Sequence, residues 1–139
     1  MAYCTQSDIQ EEVTESVLIE LTDDERLGTI NAARVTKAIT AADTEIDSYL
    51  AQRYPVPMTE GLELLKDCSV NLSLERLYLR RTGALPEDRK DRIAHVRKLL
   101  SDIAMGRASL GVTPAPTEEG GGSFSAQERK FDRDKLKGF

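Results

Sequence analysis

Two prolines separated by one residue, Pro55 and Pro57, set a hard end to the longest apolar pattern in the first half of the chain. Proline lacks a backbone N–H and restricts the residue before it, so Tyr54 cannot easily continue a helix. Upstream, apolar side chains recur every three or four residues, which predicts an amphipathic helix from a cap at Asn31 to about Arg53. The members of this stripe are Val35, Ile39, Ala42, Ile46, Tyr49 and Leu50. The chain must therefore supply a surface that covers the stripe, and it must turn sharply where the stripe ends.

Further helices are expected on both sides of this long one. Short helices are predicted near Ser7–Val13 and Ser16–Leu21, a longer one over about Glu60–Arg81, and a last one from Pro86 to about Gly106. Strands are not expected, because polar–apolar alternation is absent and β-branched runs are short. The sequence predicts an all-α fold of three long and one or two short helices, with a flexible C-terminal tail. The core is expected to hold Ile46, Leu50, Leu65, Cys68, Leu72, Val96, Leu99 and Ile103.

The composition changes after Leu110, which divides the chain. Residues 111–123 hold prolines and three consecutive glycines without an apolar period, which predicts a flexible linker. Residues 124–139 intersperse aromatic, leucine and basic side chains but have no core of their own. We expect this tail to dock on another surface, and the alternatives are that it folds back on its own domain or stays unattached. The predicted organisation is a helical domain over residues 1–110, a linker and a docking tail.

Charge is distributed unevenly along the chain. Residues 1–60 carry 12 acidic and 4 basic side chains, a net of −8, whereas residues 61–110 carry 7 and 10, a net of +3. An acidic and a basic face on one small domain favour head-to-tail association between copies, although merely solvated charges would give the same pattern.

Basic side chains end the Glu60–Arg81 helix at Arg80 and Arg81 and recur along the last helix. Salt bridges to other molecules are the first interpretation, ahead of solvated charge and of specific DNA binding. The whole chain is acidic, at −5, and carboxylates lie among the basic residues, so sequence-specific nucleic-acid binding is not expected.

No pattern in the sequence predicts catalysis, a cofactor or a metal site. His95 is the single histidine, and it lies between basic residues without a triad or a ligand cluster. The acidic loop from Asp23 has Gly28 at the glycine position of a calcium loop, but Arg34 stands where the bidentate glutamate belongs, so a turn is expected instead. Cys4, in an N-terminus expected to be mobile, and Cys68 are expected to be free thiols in a reducing cytoplasm. Neither a signal peptide nor a membrane-spanning segment is expected.

Several motifs, in order along the chain, resemble the phage Mu-like head–tail adaptor family. The central one is Ile46-Asp-Ser-Tyr-Leu-Ala-Gln-Arg-Tyr-Pro-Val-Pro57. The others are an opening with Tyr3, Asp8 and Ile9, the loop Leu21–Asp24, the helix segment Leu77–Arg81, the closure Asp102–Gly111 and the tail Phe131–Phe139. The chain departs from the family pattern in a less acidic loop at Asp23–Gly28 and in the presence of Cys4.

This resemblance implies a structural virion protein rather than an enzyme. Such an adaptor joins the portal protein to the tail-side stopper protein as a ring of about twelve copies, without binding a membrane. It would be made in the cytoplasm of the bacterial host and end in the virion neck. A small helical DNA-binding or packaging accessory protein is the alternative. The residues expected to meet partners are Tyr49, Arg53, Tyr54, Arg80, Arg81, Arg129, Lys130, Phe131, Arg133, Leu136 and Phe139.

Overall fold

The computed structural model describes residues 2–112, which fold into five α-helices without a strand. The all-α prediction is therefore confirmed for this part of the chain. The predicted tail, and all of the predicted linker except residues 111 and 112, lie outside the described residues. The helices are α1 Gln6–Glu12, α2 Glu15–Thr22, α3 Ala32–Leu50, α4 Leu62–Thr82 and α5 Glu87–Ala104.

Local caps explain where the helices begin and end. Thr5 and Asp8 form a capping box at the start of α1, and the side chain of Asn31 accepts a hydrogen bond from the N–H of Arg34 at the start of α3. Pro86 directly precedes α5, where the absence of an N–H costs nothing. Gly83, in the left-handed region at φ +71°, ends α4.

The long helix α3 ends at Leu50, three residues before the predicted end at Arg53. The chain tightens there into a final turn in which the N–H groups of Arg53 and Tyr54 both donate to the carbonyl of Leu50, at 3.0 and 2.8 Å. Pro55 follows at once and supplies no further donor. The predicted stop is confirmed, and the helix closes slightly earlier because its last turn is wound more tightly.

Helices α3 and α4 form the centre of the fold, and the other three helices cover them. One apolar cluster joins the C-terminal half of α3, the N-terminal half of α4 and α5, while a second joins α1 and α2 to the opposite halves of α3 and α4. Val112, which the sequence analysis placed in the linker, packs against the first cluster. None of the helices within residues 2–112 is long and apolar enough to cross a bilayer.

The predicted core is confirmed at seven of its eight positions, and the exception is Leu99. Leu99 is only half-buried, whereas its neighbour Leu100 is fully buried. The buried positions of α5 are Ile93, Val96, Leu100, Ile103 and Ala104. A spacing of three, four and three residues from 93 to 103 keeps one face toward α3 and α4, and Leu99 lies off that face.

The N-terminus is ordered, contrary to the expectation of a mobile segment. Cys4 is 1% exposed, and Tyr3 is buried beside α3. The Tyr3 N–H donates to Asp43 at 3.0 Å, and its phenol oxygen accepts the Met58 N–H at 2.9 Å and donates to Asp47. Burial, with the hydrogen bond to Asp47, raises the pKa of Tyr3 to about 12. One tyrosine thereby ties the start of the chain to α3 and to the loop before α4.

Candidate partner-binding surfaces

The bundle has two ends, where the loops between its helices gather. Arg80, near the end of α4, bonds to Asp24 in the loop before α3, so α3 and α4 run antiparallel. At the other end Gly61, just before α4, lies against Leu110, which follows α5. We name these ends the Leu27 pole, residues 23–30 and 79–83, and the Met105 pole, residues 51–61 and 105–112. The 19 residues of α3 separate them by about 28 Å, at roughly 1.5 Å per residue.

The Leu27 pole presents a leucine on a loop of fixed shape. Leu27 is 75% exposed, and its N–H and that of Gly28 donate to the carboxylate of Asp23 at 2.9 and 2.7 Å. Arg26 takes a left-handed conformation, at φ +57°, which costs a non-glycine residue roughly 1 kcal/mol or more. The loop is therefore held in one shape by hydrogen bonds although that shape leaves an apolar side chain in water.

The same geometry gives Asp23 the role of a turn residue. Its two carboxylate oxygens are occupied by backbone N–H groups, which matches the predicted turn. Across residues 2–112, no group of histidine, cysteine, aspartate or glutamate side chains is arranged to hold a metal ion.

Arg80 and Arg81 are engaged within the chain, and their predicted contact with other molecules stays a prediction. Arg80 donates to both carboxylate oxygens of Asp24 at 2.9 Å and to the carbonyl of Leu21 at 2.8 Å. Arg81 lies 3.4 Å from the same carboxylate. The hydrogen bond from Arg80 lowers the pKa of Asp24 to about 2. These arginines fasten the Leu27 loop to the end of α4, because Asp24 belongs to that loop.

The Met105 pole contains the predicted tyrosine–arginine patch, but only part of that patch faces solvent. Tyr54 is 3% exposed and belongs to the core, which corrects its prediction as a surface contact, and Tyr49 is half-buried against the same cluster. The guanidinium of Arg53 lies over Gly106, where an added Cβ would come within 2.7 Å of Nη1. Two exposed apolar side chains here were not predicted from the sequence, Met105 at 62% and Val56 at 38% exposure.

A groove with basic walls runs along the flank of the bundle between α3 and α4. It has a volume of about 680 Å³, and its lining includes Arg34, Lys37, Ala38, Arg76, Leu79 and Arg80. Arg34 is paired with Glu25 and Arg76 with Glu45, whereas Lys37 is exposed. Leu79, at 46% exposure, adds an apolar side chain. Lys37 could not be recognised from the sequence as a groove residue, because its significance depends on the side chains that α4 places across from it.

A network of ion pairs between the three long helices accounts for two further basic residues, Arg76 and Arg97. Arg97 on α5 donates to Glu45 on α3 at 2.8 Å and to Glu75 on α4 at 2.8 and 2.6 Å. Arg76 also reaches Glu45, at 3.0 Å. Burial alone would raise the pKa of Glu45, but the arginines outweigh burial and lower it. These side chains join the three long helices.

Within residues 2–112, one serine, one aspartate and both cysteines that could serve as nucleophiles or acids are enclosed in the core. Ser69 is fully buried, and its hydroxyl donates to Asp43 at 2.6 Å and lies 3.1 Å from the thiol of Cys4. Burial raises the pKa of Asp43 and of both thiols, Cys4 and Cys68. His95 lies exposed on α5. The serine, aspartate and cysteine side chains hold the N-terminal segment to α3 and α4 and have no access for a substrate.

The remaining predicted site residues belong to the C-terminal tail. Arg129, Lys130, Phe131, Arg133, Leu136 and Phe139 lie outside the described residues, so their role in docking stays a prediction.

Comparison with known proteins gives one family. The profile of the family described as "Bacteriophage Mu, Gp36" matches residues 3–126, which is most of the chain. No curated protein matches the chain. The matched range contains all five helices, from the Tyr3 anchor onward. The chain therefore belongs to the bacteriophage Mu Gp36 family and is a phage protein.

Proposed function

We propose that this protein is a head–tail adaptor that joins the portal protein to the tail-side stopper protein as an oligomeric ring in the virion neck. It acts by binding alone, without catalysis or a cofactor. It is made in the host cytoplasm and enters the particle during assembly. Family membership supports a phage protein, and the surface of the helical domain supports the adaptor role.

The observation that carries the proposal is where the bundle exposes its large apolar side chains. Within residues 2–112 these are Leu27 and Leu79 at one pole and Val56 and Met105 at the other. Exposed apolar side chains gathered at specific places favour protein contacts, and an adaptor needs two such places facing different neighbours. Two poles about 28 Å apart suit a protein inserted between two partners.

The alternative, a DNA-binding or packaging accessory protein, receives less support from the charges. Phosphate binding needs cations that are free to replace counterions. Arg76, Arg80 and Arg97 are instead held by carboxylates of the same chain. A salt titration of duplex DNA affinity separates the two functions, since an adaptor should bind weakly.

Substitutions at the two poles test the adaptor role. Leu27→Glu and Met105→Glu each place a charge on a side chain that is mostly solvated, so the fold should melt as the wild type does. Each variant should lose one partner, the portal or the stopper, in pull-downs with the purified proteins of the same phage, and should keep the other.

Ala94→Glu is the matched control, because Ala94 is exposed in the middle of α5, away from both poles. It should retain both partners. Retention of both partners by both pole variants would contradict the adaptor proposal.

A further inference from the structure

We propose that neighbouring copies of this chain meet sideways and head to tail, with the basic groove between α3 and α4 of one copy receiving the acidic α1 edge of the next. This inference rests on the proposed function and deepens it by naming the surfaces through which copies associate. It leaves Leu27 at one pole, and Val56 and Met105 at the other, free for the portal and the stopper.

The groove supplies the basic half of the contact. Lys37 is an exposed cation of the groove, and neither a hydrogen bond nor an ion pair engages its ammonium within residues 2–112. Arg34 and Arg76, on either side, are partly neutralised by Glu25 and Glu45 and give the walls a polar surface. With Leu79 adding apolar area, the groove fits a partner that brings a carboxylate to Lys37.

The acidic half lies on a different flank of the same molecule. A cleft between α1 and α4 is lined by five carboxylates, among them Glu11 and Asp67, and by one lysine, Lys66, which pairs with Glu63 at 3.5 Å. Ser69 marks the side of α4 that faces α3, because its hydroxyl bonds to Asp43 on α3. Asp67 lies two residues earlier on α4, which is a rotation of roughly 200° around the helix axis. Asp67 and the cleft therefore face away from α3, whereas the groove lies against it. The carboxylate of Glu11 is exposed and engages no other side chain within the described residues.

Two different complementary patches on one chain are what a head-to-tail contact requires. A two-fold contact centred on the groove would instead bring the grooves of two copies together, placing Lys37 near Lys37. The chain's own tail is a poor occupant of the groove, because residues 124–139 carry five basic and three acidic side chains, a net of +2. A second copy, through its acidic flank, fits better.

Cross-linking between copies tests this contact without the portal. Ala41→Cys places a thiol in the groove, and Ser7→Cys places one on α1, a turn before Glu11. The native Cys4 and Cys68 are each 1% exposed and should not react. With a short bis-maleimide at high protein concentration, the chain with both new cysteines should give a ladder of multimers. A mixture of the two single-cysteine chains should give dimers and no larger product. Each chain in that mixture carries only one thiol and can therefore be cross-linked to only one neighbour.

Charge variants show whether the trapped contact is the proposed one. In the two-cysteine chain, Lys37→Glu or Glu11→Lys alone should reduce the ladder several-fold, and both together should restore it. Placing the groove thiol at Ala94 instead, exposed on α5, should give little product.

The absence of a ladder, or a ladder that the charge variants leave unchanged, would overturn the proposal. So would dimers formed by the Ala41→Cys chain alone, since they would indicate a two-fold contact. None of these results bears on portal or stopper binding at the poles, so they are distinct from a failure of the adaptor role.

Discussion

Replacing Arg97 by methionine should destabilise the fold far more than a typical change of surface charge does. Within the described residues, Glu75 is paired with one cation, the guanidinium of Arg97. Glu45 is paired with two, Arg97 and Arg76. The side chains of Glu75 and Glu45 are only 12% and 18% exposed, so losing Arg97 leaves one nearly buried carboxylate unpaired. Methionine keeps the aliphatic packing and removes only the charge and its donors.

The expected loss follows from burial. Breaking a fully buried ion pair costs about 3–5 kcal/mol. Because Arg97 itself is 38% exposed, water can partly replace it, and we expect about 2–3 kcal/mol. Urea unfolding of Arg97→Met and of the wild type at neutral pH measures this difference. Removing the stranded charge as well, in Arg97→Met with Glu75→Gln, should recover part of the loss.

The loss should also depend on pH. The folded protein holds the pKa of Glu45 below its usual range. Ionised Glu45 therefore stabilises the fold at every pH above the usual pKa of a glutamate. This stabilisation is lost as the pH falls through the lowered pKa of the folded state. The difference in free energy of unfolding between the wild type and Arg97→Met should therefore be smaller at about pH 3 than at about pH 7. Arg107→Met is the control, since Arg107 is 70% exposed and lies 3.6 Å from its partner Asp102. A change within about 0.5 kcal/mol for Arg97→Met, or one independent of pH, would refute the reasoning.

Three further predictions test the core, the N-terminal anchor and the tail. Leu72→Ala, which empties a fully buried site, should lower the free energy of unfolding by about 2–5 kcal/mol in urea unfolding. Leu99→Ala should lower it clearly less, because Leu99 is half-buried. Equal losses for the two variants would contradict the packing of α5. Tyr3→Phe should cost about 1–3 kcal/mol in the same assay, because the N–H of Met58 loses its acceptor, and an unchanged midpoint would argue against the anchor. Deleting residues 124–139 should leave the melting temperature of the helical domain nearly unchanged and abolish recovery of the protein with portal-containing heads. A markedly lower melting temperature would place the tail in the domain's own core.

The sequence was most informative where local chemistry decides the structure. The cap at Asn31 and the stop imposed by Pro55 act within a few residues, and the structure confirms both. The apolar periods likewise identified most of the core. Adjacent leucines at 99 and 100 are the exception, because the choice between them depends on the direction from which α5 approaches α3 and α4.

Long-range contacts explain what the sequence could not predict. Cys4 and Tyr3 are buried through hydrogen bonds to residues more than 35 positions away. Arg80 finds Asp24 across 56 positions, so a basic residue that reads as free in the sequence is paired in the fold. Tyr54 follows the same principle. A tyrosine next to an arginine can lie on the surface or in the core, and the packing of the other helices determines that Tyr54 is buried.

The most direct test of the adaptor role is a cryo-electron microscopy map of the neck of phage particles that carry this chain, at a resolution that shows side chains. The account predicts a ring of this protein between portal and stopper, with Leu27 and Met105 buried against different partners. Absence of the chain from the neck, or a ring in which both side chains stay in solvent, would contradict it.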